Sequence, residues 1–390
     1  MGKLLRVAAL GLAALIILSG CADGTTGSDE QTVTVWAYPT ISDDARHKEL
    51  WANLVSRFNE TNPEVKIDVE IFPWAKRDEA LQTAITSDTA PDLVYLVPDQ
   101  LSSYEASIEP MNTYLGQDRR NTLLPNVAQA VTAGDRLLGA PMLISSNPLV
   151  CSATAFRAAG VMTYPSTWED VTEMAPRFTE KGMYALTYSA DPGQTLNMSF
   201  YPLLWQAGGS VFDADEQIAF NSPQGVRALE FLTALARGNA LEPDSLTTAL
   251  NTEQTEFAAG HSGCTWSIPA VDLAPLLGEE NVVVLPPLTD EQSVAYGTVG
   301  SLSLLKGSRN KEAAGRFAAF VTDPVNSIDY LQAGGYFSPA AGTTPLYASS
   351  PLQSRVEQTL PTVRFGEQNH AARQVMGVLS PEIQAALLGQ

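Results

Sequence analysis

Hydrophobic and polar residues alternate along several short stretches of the chain, and segments of helical periodicity lie between them. Residues 32–39 and 65–73 alternate with period two and are rich in β-branched side chains, which predicts two strands. Between them, 43–59 carries apolar residues at helical spacing and predicts an amphipathic helix. A helix over 78–86 and a buried strand over 91–98 follow. Strands and helices that alternate at such short intervals predict parallel α/β topology.

The alternation continues through the rest of the chain. Residues 134–160 form a long extended stretch with Pro141 and Pro148, which we interpret as a strand pair that crosses between two lobes. Helices are predicted over 165–182, after a Ser/Thr cap, and over 199–209, 222–239, 247–261, 270–278, 310–324 and 325–339, with two helical patches within 354–388. Strands are predicted over 261–269, 281–287 and 297–308. A mature body of about 370 residues is too long for one ordinary core and favours two lobes.

The N-terminal segment has the layout of a secretory signal peptide. Lys3 and Arg6 precede an apolar run over 7–18, and the run ends in Leu-Ser-Gly-Cys, which resembles the lipobox of bacterial lipoproteins. We therefore predict a signal peptide over 1–20, lipidation of Cys21 and a flexible lipidated tether over 21–30. A plain transmembrane anchor is the alternative, but the run is short for a span of about 20 residues.

Composition excludes some function classes. The formal net charge is −20, which makes the chain a poor candidate for binding nucleic acid and predicts that the folded body does not lie on anionic lipid. Membrane attachment is therefore expected through the lipid anchor only. Besides Cys21, the chain has Cys151 and Cys264, which predicts a disulfide in an exported protein, with two buried thiols as the alternative.

Catalytic and metal-binding motifs are not found in the sequence. The histidines are His47, His261 and His370, and their surroundings show neither metal-ligand spacing nor a nucleophile elbow. We therefore predict a protein without cofactor, metal or enzymatic activity. Aromatic residues beside short polar ones recur at predicted element ends, which favours stacking on sugar rings, although core packing is the ordinary role of any single Trp.

Five segments carry a resemblance to a known family. They are FNETNPEVKIDVE (58–70), TAPDLVYLVPDQ (89–100), YPSTWEDV (164–171), AFNSPQGVRALEFL (219–232) and KEAAGRFAAFVTDP (311–324). In this order and spacing they resemble the extracellular solute-binding proteins of bacterial ABC importers, in the carbohydrate group that includes maltose-binding protein.

The resemblance implies a two-lobe, type II periplasmic-binding-protein-like α/β fold, with a ligand cleft between lobes joined by crossing hinge strands. The lobes would comprise 31–142 with 268–324, and 143–267 with 325–390. Crossings are expected near 142–147, 265–269 and 322–328. Both Cys151 and Cys264 then fall in the second lobe on neighbouring strands, which strengthens the disulfide prediction.

The resemblance also implies a set of ligand-binding residues. Asp99 matches a carboxylate that binds sugar hydroxyls, Gln100 lies beside it, and Asp92 in the same motif is expected to be structural. The segment 266–269 stands where the second hinge of the family often has the sequence GPW, and Trp266 is the preferred stacking residue. The remaining candidates lie in the loop after the first strand, in the first hinge and in two further ligand-facing segments: Trp36, Tyr38, Asp43, Asp44, Ser145, Asn147, Ser301 and Tyr336.

The function implied is capture of a mono- or oligosaccharide outside the membrane, followed by hinge closure and delivery to the permease subunits of an ABC transporter. Two alternatives stay open. A cationic or phosphorylated ligand, such as a polyamine, an amino sugar or a glycerophosphodiester, would require a ring of carboxylates or a free arginine in the cleft. An exported glycan-acting enzyme would require a carboxylate pair about 5–10 Å apart.

Overall fold

The computed structural model describes residues 31–343 and 345–390. The predicted signal peptide, Cys21 and the tether lie outside the described residues. The strands are β1 (Gln31–Ala37), β2 (Val65–Ile71), β3 (Leu93–Leu96), β4 (Ile108–Glu109), β5 (Thr132–Ala133), β6 (Arg136–Leu137), β7 (Ala140–Ile144), β8 (Leu149–Ser152), β9 (Tyr184–Leu186), β10 (Ser262–Thr265), β11 (Val282–Leu285), β12 (Ala295–Tyr296), β13 (Val299–Leu305) and β14 (Val363–Arg364).

The helices alternate with these strands in the N-terminal part and predominate after β8. They are α1 (Asp44–Asn59), α2 (Arg77–Thr86), α3 (Pro98–Tyr104), α4 (Gln117–Thr122), α5 (Pro125–Ala130), α6 (Ala153–Ala159), α7 (Trp168–Thr179), α8 (Tyr201–Gln206), α9 (Pro223–Arg237), α10 (Ala270–Leu277), α11 (Lys311–Val321), α12 (Ile328–Gly334), α13 (Pro351–Glu357) and α14 (Ala372–Leu387). The α/β class predicted from the alternation is therefore confirmed.

The first sheet has the order β2-β1-β3-β13-β4, and β7 also pairs with β13. β1 pairs in parallel with both β2 and β3, whereas β13 runs antiparallel to β3 and to β7. Val33 and Val35 of β1 are buried, and the residues that alternate with them are not, as the period-two pattern predicted. The parallel βαβ start of the chain is thus correctly read from its sequence.

The second sheet has the order β11-β8-β10-β9. β8 and β10 are antiparallel neighbours, and Cys151 lies directly opposite Cys264. The two sulfurs form a disulfide across a sequence separation of 113 residues. The predicted pairing of these cysteines is therefore present in the structure, and it joins two central strands of this sheet.

The chain passes between the two sheets at several places. It leaves the first sheet at Ile144 and enters the second at Leu149, within and just after the crossing expected near 142–147. After β10 it enters α10, whose Ala270 and Leu273 pack in the apolar group of the first sheet. Residues 282–285 then pair with β8 in the second sheet, although the predicted boundary at 268 assigns them to the first lobe, and the chain rejoins the first sheet at Val299. The crossings near 265–269 and 322–328 and the rest of the lobe division stay predictions.

Two groups of buried apolar side chains support the sheets. One surrounds the first sheet with α1 and α11 and extends over α10, α13 and one face of β11. The other lies between the second sheet and α7, α8, α9 and α14. Helix α7 begins at the predicted cap, where the Thr167 hydroxyl accepts a hydrogen bond from the Asp170 backbone N–H.

The helix predicted over 247–261 is wrong. Only Thr252–Gln254 forms a short 3₁₀ turn there. The Asn251 backbone N–H donates to the Gln254 side chain, and the Thr255 hydroxyl donates to the Thr252 carbonyl. Such local side-chain bonds compete with a continuing helix.

Candidate functional site

The C-terminal ends of β1, β2 and β3 lie at one edge of the first sheet. These strands are parallel and end at Ala37, Ile71 and Leu96, and each continues into the loop or helix that follows. Ser301 of β13 lies opposite Leu96, and β7 leaves the sheet at the same edge toward the second sheet. Side chains that follow these strand ends therefore converge at the junction of the two sheets, which is where open α/β sheets bind ligands.

Three aromatic rings and one guanidinium form the first part of this site. The rings of Tyr38 and Trp74 are stacked at 5.1 Å, and the Tyr95 ring stands edge-on to both at 6.3 Å. The Arg77 guanidinium carbon lies 4.6 Å from the Trp74 ring centre and 5.7 Å from that of Tyr38. Tyr38 and Tyr95 are buried, whereas Trp74 is 40% exposed and presents an aromatic surface.

An ion-pair network forms the second part. Arg373 of α14 donates to the Asp78 carboxylate from Nε at 3.0 Å and from Nη2 at 2.6 Å, and its Nη1 reaches Asp99 at 3.2 Å. The Gln100 side-chain amide donates to the other oxygen of Asp78 at 2.6 Å. Because α2 and α3 carry the two aspartates and α14 packs in the second apolar group, the network joins the two halves of the fold.

The second half of the fold contributes further aromatic and charged groups. The Trp205 indole N–H donates to Glu367 at 3.0 Å, and the Arg364 guanidinium carbon lies 4.8 Å from the Trp205 ring centre. Tyr201 and Tyr296 are buried beside them. Burial raises the pKa of Tyr201, and the charges of Glu367 and Asp99 raise it further, so this phenol stays a neutral hydrogen-bond donor.

The same balance of burial and charge holds for the rest of the site. Burial raises the pKa of Tyr38 to about 12, although the nearby Arg77 opposes this shift. Burial alone would raise the pKa of Asp78, but Arg373 and Gln100 more than offset it and hold that pKa below its usual value. Burial lowers the pKa of Arg77, and the positive charge of Arg373 lowers it further. The guanidinium groups of Arg77 and Arg373 therefore stand against the carboxylates of Asp78 and Asp99, and Arg364 pairs with Glu367, so positive and negative groups are equal in number.

Several polar atoms at this junction are buried and lack a hydrogen-bond partner among residues 31–343 and 345–390. They are the hydroxyl oxygens of Tyr38 and Tyr201, and Nε of Arg77. The Ser301 hydroxyl also lacks a partner within the described residues, but its side chain lies beside Gly139, on the face of β13 opposite to the one that meets Tyr95. Buried polar groups are nearly always hydrogen-bonded in native proteins, so a cluster of unpaired ones calls for an explanation. A polar ligand that enters between the rings would supply the missing partners.

The structure brings three of the predicted site residues together. Tyr38, Asp99 and Gln100 all lie in the cluster just described. Asp99 is 1% exposed and accepts from Arg373 and from the Gln100 backbone N–H at 3.1 Å, so its two oxygens are already engaged. Asp92, expected to be structural, accepts hydrogen bonds from Thr34 and Ser308 within the first sheet and its flank.

Other predicted residues of the first half lie outside this cluster or at its border. Trp36 packs on Phe72, with ring centres 4.0 Å apart. Asp43 caps α1 by accepting from the Arg46 backbone N–H at 3.0 Å, and the neighbouring Asp44 is exposed in the first turn. Their assignment as ligand contacts stays a prediction. Tyr336 donates its hydroxyl to the Thr40 carbonyl in the loop after β1.

The hinge candidates are engaged with the protein itself. The Ser145 hydroxyl accepts from the Thr298 backbone N–H at 3.3 Å, and the Asn147 amide donates to the Trp266 carbonyl at 3.4 Å. Trp266 is 7% exposed, and its indole N–H donates to the Ser199 carbonyl at 3.2 Å. These contacts favour a packing role for Trp266, and its stacking on a ligand stays a prediction.

Sequence reasoning missed Trp74, Arg77, Asp78 and Arg373. The first three follow directly after β2, and an aromatic residue near two charged ones at a parallel strand end is a signal that could have identified them. Arg373 lies 295 residues from Asp78, and no local pattern relates the two.

Neither a metal site nor a membrane span is found in the described part of the chain. No group of three or more His, Cys, Asp or Glu side chains there is arranged to hold a metal ion. No helix between Gln31 and Gln390, residue 344 excepted, is both long and apolar enough to cross a bilayer.

Comparison with known proteins identifies a family. The model of the bacterial extracellular solute-binding protein family matches residues 44–327. A putative binding protein of Brucella abortus is 19% identical over 390 residues, which covers 97% of this chain and 93% of that protein.

Solved structures share the fold. The maltose-bound MalE3 of T. maritima superposes with a TM-score of 0.80 at 19% identity and covers 92% of this chain and 95% of its own. An ABC transporter solute-binding protein of Thermotoga lettingae, bound with α-D-tagatose, gives a TM-score of 0.77 at 21% identity with the same coverage of 92% and 95%. At these identities the similarity establishes the two-lobe fold, which confirms the predicted architecture.

Proposed function

Because the chain belongs to the family of bacterial extracellular solute-binding proteins, we propose that it is the receptor of an ABC importer and that its ligand is a carbohydrate. The sugar is captured outside the membrane between the two lobes. Hinge closure then presents it to the permease subunits, and the ligand shifts the equilibrium toward the closed form by its higher affinity for that form.

One observation carries the carbohydrate assignment: unpaired buried polar atoms lie beside aromatic faces at the junction of the lobes. The hydroxyls of Tyr38 and Tyr201 and Nε of Arg77 lack partners within the described residues. Trp74 presents a partly exposed ring beside them. A sugar ring has an apolar face that stacks on indole and hydroxyls that donate and accept, so it satisfies both features at once.

The charges around the site favour a neutral sugar. Arg77 and Arg373 balance Asp78 and Asp99, and Arg364 is paired with Glu367 at 3.1 Å. A cationic ligand would need unpaired carboxylates, but both aspartates already accept from Arg373. The tagatose and maltose bound in the two structural neighbours are also uncharged sugars and support this assignment.

A phosphorylated or acidic sugar is the second candidate, and Arg77 is the observation that favours it. Nε of its guanidinium makes no hydrogen bond within the described residues, and the guanidinium carbon lies 4.6 Å from the Trp74 ring centre. An anionic substituent would pair with such a group. The cancelling charge of the whole cluster ranks this candidate below a neutral sugar.

The arrangement supports binding without turnover. Glycoside hydrolysis needs one carboxyl group that donates a proton and a second that stays free as base or nucleophile. Arg373 holds the pKa of Asp78 low and occupies acceptor positions on both aspartates. We therefore propose a receptor without catalytic activity, tethered outside the membrane by a diacylated Cys21.

A ligand screen by thermal unfolding tests the proposal. The panel contains neutral mono- and oligosaccharides, sugar phosphates, uronic acids and polyamines. A true ligand at 100 times its Kd adds about 2.7 kcal/mol to the free energy of unfolding. Stabilisation by a neutral sugar alone supports the first candidate, and stabilisation only by sugar phosphates or uronic acids would replace it with the second. Stabilisation only by polyamines, or by nothing in the panel, would reject both.

Trp74 provides the matched variants for calorimetry with the sugar found. Trp74→Ala removes the stacking surface and is expected to weaken binding by about 2–4 kcal/mol, the size of an aromatic hot spot. Trp74→Phe keeps a ring but loses the N–H that donates to the Pro39 carbonyl, and it should retain most of the affinity. Equal affinity of Trp74→Ala and the wild-type protein would remove this surface from the ligand site.

A further inference from the structure

The C-terminal helix links the two halves of the fold across the proposed ligand site. α14 packs through Val375, Met376 and Ile383 into the second apolar group. At its first turn, however, Arg373 reaches Asp78 of α2 and Asp99 of α3, which belong to the first half. The helix therefore carries one charged side chain across the cleft.

The ion pairs are largely removed from solvent. The side chain of Arg373 is 22% exposed, that of Asp78 is 32% exposed and that of Asp99 is 1% exposed. Arg373 donates three hydrogen bonds to the two carboxylates, two of them to Asp78. Burial alone would lower the pKa of Arg373, but the two carboxylates more than offset this and raise it, which indicates strong coupling between the three groups. Removing one member of such a group leaves an uncompensated charge, so the contact is worth more than a surface ion pair.

The segment just before α14 makes two weaker contacts with the same half. The Gln368 side chain donates to the Gln129 carbonyl at 2.8 Å, and the Ser103 hydroxyl lies 3.5 Å from the His370 carbonyl. Both are exposed, unlike the Arg373 contacts. We therefore expect Arg373 to contribute most of the interaction free energy of this interface.

We propose that Arg373 is a latch between the lobes: its ion pairs with Asp78 and Asp99 hold the cleft closed in the absence of ligand, and ligand entry requires them to open. The consequence for ligand capture rests on the carbohydrate function proposed above, whereas the latch itself concerns only the two lobes. Arg373 acts here as a positioning residue. It also occupies one oxygen of Asp99, the carboxylate that the family resemblance assigns to sugar hydroxyls, so ligand and latch compete for that oxygen.

Distance measurements by electron paramagnetic resonance on the full-length protein test the latch. Spin labels are placed at Gln82→Cys on α2 and Val378→Cys on α14, two exposed positions near the ion pairs, with the native disulfide kept oxidised and Cys21 replaced by Ser so that only the introduced thiols are labelled. In the absence of sugar, the wild-type background should give one short distance. Arg373→Gln should move most of the population to a longer distance, with a change of the open-to-closed ratio of at least about tenfold, or about 1.4 kcal/mol.

Two further variants control for the loss of charge and for misfolding. Arg227→Gln removes a guanidinium that pairs with Asp290 at 3.0 Å and Glu291 at 2.6 Å within the second half, and it should leave the short distance unchanged. Asp78→Asn keeps the side-chain shape but weakens the latch from the other side, and it should open the cleft as well. It decides the question if Arg373→Gln fails to fold.

Three outcomes would overturn the latch. They are a long distance in the unliganded wild-type background, an unchanged short distance when Arg373 or Asp78 is replaced, and an equal opening in Arg227→Gln. If a sugar is found, its association rate should rise with the open fraction, so a tenfold larger open fraction should give about tenfold faster association in Arg373→Gln. An opening of the cleft without any sugar that binds would support the latch and reject the carbohydrate function, so the two can fail separately.

Discussion

His47 should make the stability of this protein strongly dependent on pH. The imidazole projects from α1 toward α12 and is fully buried. Its Nε2 accepts a hydrogen bond from the indole N–H of Trp51 at 3.1 Å and lies 2.8 Å from the Tyr330 hydroxyl. An indole N–H can only donate, so Nε2 must be unprotonated and the ring neutral. Burial lowers the pKa of His47 to about 4, although the charge of Asp44 opposes the shift.

The sign of the effect follows from proton uptake. In the unfolded chain a histidine has a pKa of about 6.5, so below that pH the unfolded state binds a proton that the folded state refuses. The contribution of His47 to stability is complete above pH 6.5 and is lost as the pH falls toward 4. Linkage with these two pKa values gives a loss of about 2 kcal/mol between pH 7 and 5, and about 3 kcal/mol by pH 4.

Urea unfolding at pH 7, 6 and 5 measures this loss. His47→Gln keeps an oxygen or nitrogen near the position of Nε2 but cannot titrate, so its stability should fall by about 2 kcal/mol less than that of the wild-type protein over this range. His370→Gln, at an exposed histidine, is the matched control and should follow the wild-type curve. A His47→Gln protein with the wild-type pH dependence would refute the reasoning, because other groups would then account for the acid sensitivity.

Two other changes have magnitudes that follow from the structure. Replacement of both Cys151 and Cys264 by Ala opens a loop of 113 residues and should lower the free energy of unfolding by about 4–5 kcal/mol on the chain-entropy model. Urea unfolding against the oxidised wild-type protein measures this loss, and a loss below about 1 kcal/mol would contradict the prediction. Gly300→Ala places a Cβ against the ring of Tyr95 and should lower the free energy of unfolding by about 1–3 kcal/mol through overpacking. In the control Gly377→Ala, on α14, the added Cβ meets open space and should not destabilise the protein. Equal melting temperatures for the two variants would contradict the contact between residue 300 and Tyr95.

The parts of the fold that were read correctly from the sequence depend on local patterns. The alternation of Val33 and Val35 with polar neighbours identifies β1, and the Thr167 cap identifies the start of α7. Both signals act within a few residues, where backbone geometry and side-chain hydrogen bonding decide the structure. Cys151 and Cys264 are far apart in sequence, but an even pair of cysteines in an exported chain is itself a long-range signal.

The errors arise where the choice of partner is not local. The extended stretch around Thr265 and the stretch at 282–285 both read as strands, but nothing in their residues specifies which sheet each one joins. The pairing of β11 with β8 therefore puts 282–285 in the second sheet, although the predicted boundary at 268 assigned this stretch to the first lobe. Arg373 was missed for the same reason, because its role exists only after α14 has packed beside α2 and α3.

A ligand-binding role and a packing role of Trp266 predict different results when the residue is replaced, and the structure favours the packing role. Its ring is 7% exposed, it stands edge-on to Tyr188 at 5.9 Å, and its N–H donates to the Ser199 carbonyl. Trp266→Ala should therefore cost about 3–5 kcal/mol of folding stability, the usual cost of removing a buried aromatic side chain. The folded fraction should bind sugar with an affinity close to that of the wild-type protein.

Trp74→Ala should behave in the opposite way, because Trp74 is 40% exposed. Its urea unfolding should be nearly normal, and its affinity for sugar should be weakened. Unfolding curves and calorimetric titrations on both variants decide between the roles. A stable Trp266→Ala protein with an affinity at least 30-fold lower, or about 2 kcal/mol, would instead support the stacking role predicted from the sequence, and the contacts with Tyr188 and Ser199 would then be incidental to folding.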